Sequence, residues 1–143
     1  MTSAYSIEIQ DMLHYVNTLD DRAWGGDYIF SRESIRSCLE KNLLESRPWD
    51  SGEDPIQASE DFDPLYHSKR VAYLVVNPSL EPIAIDVGIP SLGFTPAYLI
   101  QDGCHRLAAA IYWGDPYIHV DYAGSEDYFR EMFPRAKPIE VSI

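Results

Sequence analysis

Basic side chains are scarce. The 143-residue chain has 11 lysines and arginines against 23 acids, a formal net charge of −12. The bases are scattered in small groups: Arg32 and Arg36, Lys69 and Arg70, Arg130 and Arg135. A protein that grips nucleic acid through its phosphates carries a basic patch or stripe. Nucleic acid is therefore a disfavoured partner. An acidic surface stays soluble, repels polyanions and suits docking on a protein partner with a basic surface.

Long apolar runs are missing as well. None approaches the roughly 20 residues that span a bilayer, so no membrane association is expected. The opening MTSAYSIEIQDM lacks a basic region followed by an apolar one. The expectation is no signal peptide and a cytoplasmic location. Cysteine is nearly absent: Cys38 and Cys104 stand far apart and fit no zinc-ligand spacing. In a reducing compartment a disulfide between them is disfavoured.

What is present is a folding composition, 45% apolar and 13% aromatic with ten tyrosines. The length suits one domain with a real core, residues 1–143, rather than two. Ser6 to Leu19 places Ile9, Met12, Leu13, Val16 and Leu19 at helical spacing, which predicts a first helix. Gly25-Gly26 marks a loop. Ser31 is an N-cap candidate for a second helix. Phe30 and Ile35 have the spacing of a hydrophobic staple, and Ile35, Cys38, Leu39 and Leu43 form an apolar stripe. Residues 48–64, with three prolines and a run of acids, predict a long acidic loop.

Leu65 to Val76 predicts a third helix, with a buried strand over YLVV as the alternative. Pro82 to Val87 alternates and is β-rich, and Ala97 to Gln101 is a second short strand. Arg106 to Trp113 is an alanine-rich helix. Tyr117 to Tyr122 is a strand, and Ser125 caps a last helix to Phe133. Pro138 to Ile143 completes the pattern as a terminal strand. Trp24, Trp49 and Trp113 are candidates for partner contacts, although Trp113 at its helix end reads more simply as core.

The chemistry crowds into QDGCHRLAAA, residues 101–110. A strand runs out at Gln101, Gly103 permits a tight turn, and a helix starts at once. The first N–H groups of a helix have no partner within it. Those donors, the helix dipole and the Arg106 cation all favour a bound phosphate or carboxylate. In this reading Gly103 allows close approach, Cys104 and His105 offer N–H groups and Arg106 neutralises the anion. Asp102 caps the helix, or orients a metal or a substrate hydroxyl. Arg106 is thus expected to serve the ligand and not the fold. Equally, Asp102 is an ordinary cap residue, and His105 and Arg106 can satisfy acids of the chain.

DGCHRLAAAIYWGDPYIHVDY, with PIAIDVG upstream, resembles the core of the ParB/sulfiredoxin superfamily. That family runs a P-I-x-V strand, then a strand, DG-x-HR or a variant, an alanine-rich helix, a glycine turn and a strand with I-x-V. The resemblance covers about residues 65–123 and does not reach the first 60. It implies an α/β fold, a small mixed sheet flanked by helices, here with an added helical N-terminal segment. It also implies phosphate recognition at the turn, by Asp102, Gly103, Cys104, His105 and Arg106.

Members of the superfamily differ in activity. Kinase-like members of the family hold nucleotide phosphates with a DGHHR segment. Their likeness implies ATP or another nucleotide, with Mg²⁺ and Asp102 near the metal, and phosphoryl transfer or nucleotide hydrolysis. A catalytic acid or base would come from elsewhere, with Glu33 and His67 as candidates, and Arg70 could reach a second phosphate. Sulfiredoxins repair over-oxidised cysteine through the cysteine of a GGCHR segment, where Cys104 stands here. A thiol beside His105 and Arg106 at a helix start should be acidic and nucleophilic. Against this, Asp102 replaces the first glycine and the usual preceding phenylalanine is missing. Partition proteins of the family bind CTP and DNA, but about 20 residues after Tyr122 leave no room for a DNA-binding region. A nuclease would need metal held by Asp102, Asp86 or Asp121 to offset the charge. The remaining alternative is a non-enzymatic acidic protein that binds or inhibits a partner, as small phage and mobile-element proteins on such folds do.

Overall fold

The computed structural model describes residues 2–20, 27–48 and 63–141. Five strands and five α-helices lie along them. They are β1 (Thr2–Glu8), α1 (Ile9–Leu13), α2 (Arg32–Glu40), α3 (Tyr66–Val76), β2 (Ile83–Asp86), β3 (Ile100–Asp102), α4 (Cys104–Trp113), β4 (Tyr117–Ala123), α5 (Glu126–Met132) and β5 (Lys137–Val141). The strands form one mixed sheet in the order β3-β2-β4-β1-β5. β2 and β4 are parallel and the other three pairs antiparallel.

The register decides which side chains share a face. Ile83 and Tyr5 both pair with Val120, Ile7 pairs with Ile118, and Ile85 pairs with Ile100. Ile7, Ile83, Ile85, Ile100 and Val120 are all buried. They join Ile35, Val71, Ala72, Leu107, Ala108 and Phe129 from the helices in one core cluster. The alternate residues Ser6, His119 and Asp121 are half-buried or exposed. Side-chain period two thus divides an apolar, helix-covered face from a polar one.

The N-terminal expectation is overturned. Residues 2–8 are no helical extension but a strand inside the sheet, with β4 on one edge and β5 on the other. Tyr5, Ile7 and Ile9 alternate, which satisfies a strand as well as the later apolar positions satisfy a helix. Backbone pairing on both edges decides between them. The helix shrinks to five residues, keeping Ile9 and Met12 buried and leaving Leu13 exposed.

Other elements follow local signals closely. Ser31 caps α2: its Oγ accepts from the Ser34 N–H, and the Ser34 Oγ accepts from the Ser31 N–H. Phe30 and Ile35 are buried, as a staple requires. The α2 stripe ends early, because the helix stops at Glu40 and leaves Leu43 exposed. YLVV is helical, at the end of α3. β3 is shorter and later than the sequence predicts, and Tyr98 is exposed before it. Ser125 caps α5 by accepting from the Tyr128 N–H. Trp24, Gly25, Gly26, Trp49 and the acidic loop over 49–62 lie outside the described residues. Among the described residues no helix is long and apolar enough to cross a membrane.

Candidate functional site: the start of the fourth helix

α4 begins two residues earlier than its apolar pattern predicts, at Cys104. Gly103 is the N-cap, at φ 108°, and no side chain caps the helix. The Leu107 N–H closes the first turn onto the Gly103 carbonyl at 2.9 Å. That backbone region is open to glycine and strained for other residues. A second constraint acts on the same atom. A Cβ on Gly103 would stand 2.5 Å from Cγ2 of Ile83. The close approach that glycine permits is therefore to the sheet, in the first place, and α4 sits tightly on the start of β2.

Arg106 fastens the same junction. Its Nη1 donates to the carbonyls of Glu81 at 2.9 Å and Pro82 at 3.0 Å, and its Nη2 donates to Oδ2 of Asp102 at 3.1 Å. Glu81 Oε2 is 3.9 Å away, and the arginine side chain is only 15% exposed. The expectation that the fold does without Arg106 is thereby corrected. Three of its donor contacts are internal, because the helix start points the side chain along the β2 approach. Asp102 does not cap α4. Its side chain is 79% exposed and pairs with Arg106 one turn on.

His105 and His67 meet inside. Nδ1 of His67 lies 2.8 Å from Nε2 of His105, and the rings stack at 5.0 Å between centroids. Tyr28 lies edge-on to His67 at 4.3 Å, and Tyr66 packs against both imidazoles. Both histidines are buried. Burial, then the neighbouring His67 and Arg70, hold the His105 pKa well below the ordinary imidazole value. His105 is neutral at pH 7 and can accept or donate, but it does not supply a cation.

Cys104 is half-buried, and its thiol is pushed up, first by burial and then by the Asp102 carboxylate. The sequence expectation was the reverse. Neither presumed activator acts on it: His105 is neutral and turned inward, and Arg106 is paired with Asp102.

The remaining candidates scatter. Glu33 is exposed in the first turn of α2. Arg70 donates through Nη1 to the carbonyls of Ser46 at 2.9 Å and Glu45 at 3.3 Å, which ties α3 to the segment after α2. Asp86 accepts from the Gly88 N–H at 2.8 Å. Asp102 and Asp121 pair with Ala84 from opposite sides, which separates their backbones by two strand spacings, about 10 Å. Among the described residues no group of three His, Cys, Asp or Glu could hold a metal ion.

Tyr28 and Tyr66, and the Glu81 and Pro82 carbonyls that hold Arg106, escape sequence reasoning. Tyr66 had one signal, its place beside His67. Tyr28 and the carbonyls had none, since their partners are distant in the chain. Comparison with known proteins finds no family model, no curated protein and no solved structure that matches the chain.

Proposed function

We propose that the chain is a phosphate-ligand- or nucleotide-binding protein of the ParB/sulfiredoxin-like kind, with the ligand phosphate at the start of α4. The element order supports the family likeness. β2, β3, the turn at Gly103, α4, the turn at Gly114 and β4 follow one another as the resemblance implies. The observation that carries the reading is the uncapped start of α4, with φ 108° at Gly103. First-turn N–H groups without a side-chain cap favour an anion.

Arg106 enters this reading by exchange. A phosphate that reaches Nη2 displaces the Asp102 carboxylate, leaving the Nη1 bonds in place. The described residues do not build a Mg²⁺ cage, so Mg²⁺ would come with the nucleotide phosphates and meet at most Asp102. Phosphoryl transfer or hydrolysis would then draw on the two carboxylates at the junction, Asp102 and Glu81, and not on exposed Glu33 or on His67. The sulfiredoxin alternative is weakened by the raised thiol of Cys104.

The test is a thermal-shift screen with ATP, ADP, CTP, GTP and inorganic phosphate, with and without Mg²⁺. A ligand at about 100 times its Kd adds roughly 2.7 kcal/mol of stability. Wild type and Asp102→Asn should both shift with one nucleotide. The variant should shift more without Mg²⁺, because a competing carboxylate is gone. No shift with any ligand sinks the proposal.

A non-enzymatic, partner-binding role is the second reading. Trp113, expected in the core, is instead 70% exposed beside an apolar groove.

A further inference from the structure

A groove of about 460 Å³ runs between the C-terminal half of α3, the outer side of α4 and the beginning of β4. Its rim carries four large apolar side chains open to solvent: Val76 at 55%, Leu80 at 85%, Trp113 at 70% and Tyr117 at 54%. Buried Ile83 and Ala109 lie among its lining. Apolar residues scattered singly over a surface need no explanation, but several around one concavity mark a contact site.

Acids outnumber lysines and arginines around the groove. Glu81, with a side chain 77% exposed, and exposed Asp115 both line it. Arg106 is the single lysine or arginine in the lining; its side chain is only 15% exposed, it is paired with Asp102 and it lies 3.9 Å from the Glu81 carboxylate, which leaves Asp115 as the acid without that neighbour. The rim is thus negative, on a chain whose net charge is −12.

We propose that this groove docks a basic, amphipathic segment of another protein. Its apolar side would cover Leu80, Trp113 and Tyr117. Its lysines or arginines would meet Glu81 and Asp115, and one could lie over the Trp113 face. The charge selects this occupant over the others. A second copy of the chain would bring an equally acidic rim against the first, and anionic lipid or nucleic acid would be repelled. The groove meets the α4 start at Glu81, Ile83 and Arg106, whereas Leu80, Trp113, Asp115 and Tyr117 take no part in the phosphate reading, so the inference does not depend on it.

The experiment is a selection from a displayed library of random short peptides on the full chain, with a Leu80→Ser/Trp113→Ser double variant as counter-selection. Both substituted side chains are exposed, so the decoy keeps its fold. The expected result is a set of peptides with apolar residues and an excess of Lys and Arg. A synthetic copy should bind at least about tenfold more weakly to Trp113→Ala, and likewise to Glu81→Lys/Asp115→Lys, by fluorescence anisotropy. Added salt should weaken binding. Three peptide results each overturn the proposal: no peptide separates wild type from decoy, the selected peptides are acidic or neutral, or affinity ignores the substitutions. A concentration-dependent dimer lost in Trp113→Ala would overturn it in favour of self-association. Nucleotide thermal shifts unchanged in Trp113→Ala keep the two sites' failures distinct.

Discussion

Nδ1 of His67 and Nε2 of His105 lie 2.8 Å apart in the buried seam between α3 and α4, so a single proton sits between them. One ring donates and the other accepts. Protonating the pair would place a cation in this seam with little water around it.

This gives stability a pH dependence with a definite sign. An unfolded histidine takes up a proton near pH 6.5, while folded His105 does so well below that value, mainly through burial. Between the two values the unfolded chain binds more protons. The contribution of His105 is therefore complete above about pH 6.5 and lost as pH falls towards the folded pKa. Relief of acid–acid repulsion in this chain acts the other way, so the comparison is made against His105→Asn. Urea unfolding from about pH 7.5 down to about pH 5 should show wild type losing stability more steeply than the variant. Parallel profiles would refute the buried neutral pair.

Arg106 offers a test of structure against ligand binding. Removing it strands the Glu81 and Pro82 carbonyls and breaks the pair with Asp102. Hydrogen bonds from a charged donor are each worth about 1.5–3 kcal/mol, and partial access to water pulls the total down. Arg106→Ala should cost about 2 kcal/mol in chemical unfolding. Arg106→Lys should recover only part, since an ammonium cannot reproduce the fork. A folded Arg106→Ala variant of unchanged stability would show that these contacts are incidental.

Cys104 should be a slow nucleophile. Burial and Asp102 hold its thiol protonated at neutral pH, and thiolate is the reactive form. In a Cys38→Ala background, iodoacetamide should label Cys104 more slowly than a free thiol at pH 7. Asp102→Asn should speed the labelling by removing the nearby negative charge. Labelling faster than a free thiol would restore the acidic-thiol expectation, and with it the sulfinic-acid-repair reading, for which Cys104→Ser is the control.

How much of this could be read from the chain depends on how far each decision reaches. Ser31, Ser125, the glycine at 103 and the alanines of α4 act within a turn or two, and their elements begin within two residues of where the sequence sets them. The identity of β1 does not work that way. Its apolar spacing fits strand and helix alike, and its strand state comes from pairing with β4, more than a hundred residues on. The candidate site divides likewise. The turn at Gly103 is local and legible, whereas the fates of its side chains are not. His105 meets a residue 38 positions away, and Arg106 bonds to carbonyls 24 and 25 positions away. Local torsion and capping energies were enough to write the starts of α2, α4 and α5 and the turn at Gly103. Only packing could decide that the imidazole goes inward as a neutral partner, that the guanidinium becomes a clamp and that Trp113 stays in water.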